Sequence, residues 1–149
     1  MTDDPMRQRA AALYNQTWDL LDQPDRDAAG DRRLVLAACG SRMLWEGIGD
    51  AQNIAVGDWM VARALSAVGA GDLAVSFAQS AADLVDDEEP VWLRASVLEG
   101  LARAHAAAGN RDERSRYVAL AGDLVSTIPD ADDRELIAAQ LATVPETSD

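Results

Sequence analysis

The chain carries one cysteine, Cys39, and one histidine, His105, and each scarcity removes a class of chemistry. A lone thiol cannot close an internal disulfide, which fits a reducing compartment and a Cys39 that packs as a small hydrophobe. One His and one Cys cannot supply a structural zinc site, and no pair of histidines stands at helical spacing to build a catalytic one. Any Ser-His or Cys-His mechanism would have to run through His105, whose place on the apolar stripe of a helix predicts a packed ring instead. Aromatic residues make up only 5% of the chain. No uncharged stretch approaches the roughly 18 apolar residues that a membrane-spanning helix requires, and the opening MTDDPMRQR lacks the basic-then-apolar order of a secretory signal. Nothing alternates at period two for long enough to predict a strand. Neither Gly69 with Gly71 nor Gly47 with Gly49 leads into the Lys-Ser/Thr ending of a phosphate loop, so these glycines read as helix stops.

Positive charge is also short. Arg and Lys number 13 against 26 Asp and Glu, for a formal net charge of −13. That balance opposes binding to phosphate backbones and to anionic membrane surfaces, because both would repel the protein. The acidic residues gather at turns and helix starts, where capping and the helix dipole account for them without a metal. The expectation is a cytoplasmic protein with no cofactor, no metal, and no nucleic-acid or membrane partner.

What the chain has is alanine and leucine at helical spacing. With 149 residues and 48% apolar content it suits one domain, 1–149, with 1–5 and 145–149 as disordered tails. The clearest element is a helical hairpin about the Gly109-Asn110 corner. Leu98, Leu101, Ala102 and His105 form one stripe before the corner, and Tyr117, Leu120, Ala121 and Leu124 form another after it. Gly109 would end the first helix, and Asn110 or Asp112 would cap the second. Five further helices are predicted over about 5–21, 32–47, 51–68, 73–85 and 132–142, giving an all-α stack of about seven helices in antiparallel pairs. The inward residues expected are Ala10, Leu13, Tyr14, Trp18 and Leu21 in the first, Phe77, Ala78, Ala81 and Leu84 in the fourth, and Leu136, Ile137 and Leu141, with Val144 just beyond, in the last. The second is apolar almost all round and should be covered on two sides, inside the stack.

Three corners share one chemistry: Gly49-Asp50, Gly71-Asp72 and Gly109-Asn110. Each of the last two divides an apolar helix from an Ala-rich amphipathic one, and they lie 38 residues apart by numbering, which is repeat behaviour. Helical pairs of this length stack on their neighbours into a short solenoid with a concave side. Leu101-Ala102, His105, Gly109-Asn110, Tyr117 and Ala121 resemble the tetratricopeptide repeat over about Arg94 to Ser126, with Ala102 in place of its usual Gly and Arg114 where a small residue is expected. The segments LYNQTWDLLDQPDR, GSRMLWEGIGDAQNIAVGDWMVARAL and LEGLARAHAAAGNRDERSRYVALA are also similar to a group of small uncharacterised bacterial proteins. The resemblance implies a helical-repeat fold and a non-catalytic surface that docks peptides or proteins.

Four tryptophans stand out against the low aromatic content. Trp18 reads as core. Trp45, Trp59 and Trp92 lie beside polar residues, and Trp with Arg is the pairing found at binding hot spots. One expectation is a groove lined by Arg42, Trp45, Asn53, Trp59 and Arg63, whose arginines meet the carboxylate of a peptide or small acid. The other is that these rings fill gaps between alanine-rich helices. The same groove would serve a peptide-binding module, a small-molecule sensor, or a homodimer that buries it against a second copy.

Overall fold

Alanine-rich amphipathic segments become helices wherever the orphan backbone groups at their ends find partners. A computed structural model describes residues 4–147. It shows seven helices and no strand among those residues: α1 Pro5–Leu21, α2 Ala28–Ile48, α3 Ala51–Ala67, α4 Gly71–Asp83, α5 Val91–Ala107, α6 Arg111–Val125 and α7 Ala131–Ala142. Asp4 caps α1 through Met6 N, and Pro5 takes the first helical position, where a missing N–H costs nothing. Asp50 and Asn53 exchange bonds of 2.9 and 3.1 Å in a capping box at the start of α3. Asp27 accepts from Gly30 N at 2.8 Å and starts α2 at Ala28, four residues before the predicted start at Arg32.

Consecutive helices pack together as hairpins, and α1, α3 and α5 also pack on one another in that order. α7 lies against α5 and α6. Among the described residues α2, α4 and α6 do not pack against each other, so they form a separate outer row. Small side chains permit the close approach: Ala62, Ala64, Ala74, Ala78, Ala81, Ala102 and Ala104 are all buried in the core, around Leu34, Met60, Leu93 and Leu101. Gly71 is the extreme case. A Cβ there would lie 2.5 Å from backbone atoms of Ala108, so the start of α4 can meet the end of α5 only without a side chain.

That role separates Gly71 from Gly109. The residue equivalent to Gly109 (φ +79°) is Gly69 (φ +81°), 40 positions earlier. Both close the same motif: Ala70 N donates to Leu65 O at 2.9 Å, and Asn110 N to His105 O at 2.8 Å. With this register α4 needs no shortening, and Phe77 falls opposite Tyr117 and Ala81 opposite Ala121. The corner at Gly49 differs, with φ −102°.

Two further expectations change. α2 packs against both α1 and α3, but it lies on the edge of the stack rather than inside it: Leu36 and Met43, one above the other, are 64% and 70% exposed, because nothing in the outer row packs against them. Leu84 and Leu136, expected inward, are exposed. Beyond α7, Arg114 donates to Val144 O and Pro145 O, and Arg111 to Thr147 Oγ1. The tail positions 1–3 and 148–149 lie outside the described residues.

Candidate functional site

The inner row, α1, α3 and α5, together with α7, borders a half-open cavity of about 470 Å³. Tyr14 and Trp18 reach it from α1, where positions 14 and 18 share a face, and Val56 and Trp59 reach it from α3. Trp92, Leu93 and Ser96 come from α5. α7 supplies Asp133, Leu136, Ile137 and Gln140. The lining is therefore apolar and aromatic with a few polar groups, the usual make-up of a small-ligand or side-chain pocket.

Trp59 is the fixed point of this wall. Its ring is 6% exposed, lies 5.8 Å from that of Trp18 at 50°, and donates through Nε1 to Glu99 Oε2 at 3.3 Å. Gly100 makes room, for a Cβ there would come within 2.6 Å of Trp59 Cδ1. Glu99 is fully buried and accepts on Oε1 from Arg63 at 3.2 Å and from Arg103 at 2.8 Å. Arg103 also reaches Gln140 O and Thr143 Oγ1, which ties α7 to α5. Arg63 lays its guanidinium 5.0 Å from the Trp18 centroid and 6.0 Å from that of Trp59. Burial pulls this guanidinium below the ordinary arginine range, and the Glu99 charge opposes that pull. Arg63 and Arg103 line a second cavity of about 270 Å³, which Trp18 also borders.

Of the five residues predicted to line one groove, the structure brings Trp59 and Arg63 together through Glu99 and leaves Arg42, Trp45 and Asn53 elsewhere. Trp59 borders the aromatic cavity and Arg63 the smaller one. Arg42 donates to buried Asp58 at 2.6 Å and to Glu46 at 3.3 Å, on a third surface where Ser80 completes the Asp58 contacts. Asn53 is occupied by the capping box. Trp45 carries the Arg7 guanidinium 5.0 Å from its ring centroid. Tyr14, Trp18, Trp92 and the α7 residues were absent from the predicted set. Position 92 lies one residue into α5 and α7 more than 100 residues from α1, so no spacing rule brings them together; only the aromatic type of Trp18 and Trp92 offered a signal.

His105 stacks on Tyr117 at 5.6 Å and 11°, and Asn110 Nδ2 donates to its Nδ1 at 3.0 Å. Asn110 thus bonds the imidazole rather than capping α6. Burial lowers the His105 pKa from its ordinary value, and burial likewise pushes the Cys39 thiol up. Among the described residues no helix is long and apolar enough to cross a membrane. No protein-family model, no curated protein and no solved structure matches the chain.

Proposed function

We propose that this is a non-catalytic, tetratricopeptide-like binding module of the cytoplasm that seats an apolar segment of a peptide or protein partner in the cavity between α1, α3, α5 and α7. The observation that carries the reading is that three tryptophans and a tyrosine converge on one cleft. Tryptophan gives large contact area at little entropic cost, so rings that border an opening suit an apolar occupant. Arg42 and Arg63, expected to hold a carboxylate, have acidic partners of their own, which favours recognition by shape and apolar contact.

The test is selection of peptides from a display library on the immobilised protein, with the winners titrated by tryptophan fluorescence. Leu136 lines the cavity yet is exposed, so Leu136→Ser should keep the fold and its Tm while weakening the winners about tenfold or more, the scale of a hot-spot residue. Winners indifferent to Leu136→Ser and to Trp92→Ala would place binding elsewhere. The cavity volume favours a second reading, a small-molecule sensor, since it falls within the roughly 300–1,000 Å³ of such sites. A metabolite that raises Tm in wild type but not in Leu136→Ser would favour it.

A further inference from the structure

We infer that the segment received by the aromatic cavity is basic, a lysine or arginine flanked by apolar residues. The inference rests on the reading above and adds the sign of the charge. Aromatic faces attract cations through their quadrupole, and the molecule already uses two of these rings so: the Arg63 guanidinium lies over Trp18 and Trp59. Among the described residues Asp133 is the one charged side chain on the lining. Capping does not consume it. Its backbone N–H donates to Asp130, the residue that caps α7, while its carboxylate makes no hydrogen bond or ion pair with a described residue.

An anionic segment would meet the opposite situation. Neither Arg63 nor Arg103 borders this cavity, and both are engaged by Glu99. The net charge of −13 also steers basic segments toward the protein and repels acidic ones. A lysine or arginine stem would lie along the tryptophans and carry its charge outward to Asp133, apolar stem buried and head wet.

Fluorescence titration with the capped pentapeptide Ala-Leu-Lys-Leu-Ala, its norleucine and glutamate counterparts, and benzyltrimethylammonium tests this on wild type and Asp133→Asn. The lysine peptide should bind about 5- to 10-fold more tightly than the norleucine peptide, as a partly exposed cation over aromatic rings beside a carboxylate predicts. That gap should narrow in Asp133→Asn and at high salt, and the glutamate peptide should bind weakest. Equal affinity for lysine and norleucine would overturn the charge while leaving the apolar cavity as a binding site. If none of the peptides binds, the reading beneath fails and this inference fails with it. Benzyltrimethylammonium matching the lysine peptide would overturn the peptide as occupant in favour of a small organic cation.

Discussion

Glu99 shows what single residues decide in this molecule. One carboxylate, fully buried, satisfies Arg63, Arg103 and the Trp59 indole. Removing one partner of such a set leaves charges buried without compensation, so Glu99→Ala should cost about 3–5 kcal/mol in urea unfolding. Its effect with Arg63→Ala should fall well short of additive, because both changes break the same contact. Trp59→Ala should also cost about 3–5 kcal/mol, as for a buried large aromatic; Trp59 therefore reports on the fold, and Leu136 and Asp133 are the better reporters on the site. His105 sets a pH dependence. Its pKa is lowered from 6.5 chiefly by burial, with Glu113 opposing and Arg116 reinforcing. Between the lowered folded value and 6.5 the unfolded chain binds more protons, so stability rises with pH through that window and is lost on acidification. Urea unfolding across the window should show this component in wild type and its disappearance in His105→Phe. An unchanged slope would mean that another group titrates.

The helices themselves were mostly legible, and the misreadings are local. Periodicity of alanine and leucine located every helix, because a 3.6-residue stripe is what a core-facing helix must present. Gly71 was misaligned with Gly109 since sequence alone does not separate a glycine needed for positive φ from one needed for close approach. Asn110 precedes α6 as a cap should, but its side chain found the His105 ring, a partner five residues back. Capping variants test that distinction. Asp50→Ala should cost about 1 kcal/mol, the usual scale for a lost N-cap, whereas Asn110→Ala should cost α6 little, its contact being with His105. Equal losses would show that Asn110 caps after all. Gly71→Ala should destabilise more than Gly109→Ala, because a backbone clash of 2.5 Å cannot relax, while an L-residue in the left-handed region costs only about 1–2 kcal/mol.

At the scale of the whole molecule, an inner row of α1, α3 and α5 and a terminal α7 surround a cavity that no local pattern announces. The aromatic residues were visible in the sequence as an excess, yet their grouping was not, since it depends on which hairpins stack and on where α7 returns. Trp18 and Trp92 meet there only because both lie on inner-row helices; Trp45, equally conspicuous, lies on α2 in the outer row beside Arg7. The outer row offers a competing surface in exposed Leu36 and Met43. Methyl-resolved NMR with the lysine pentapeptide separates the two faces directly. The account predicts shifts at the methyl groups of Val56, Leu93, Leu136 and Ile137 with none at Leu36 and Met43; shifts confined to Leu36 and Met43 would contradict it.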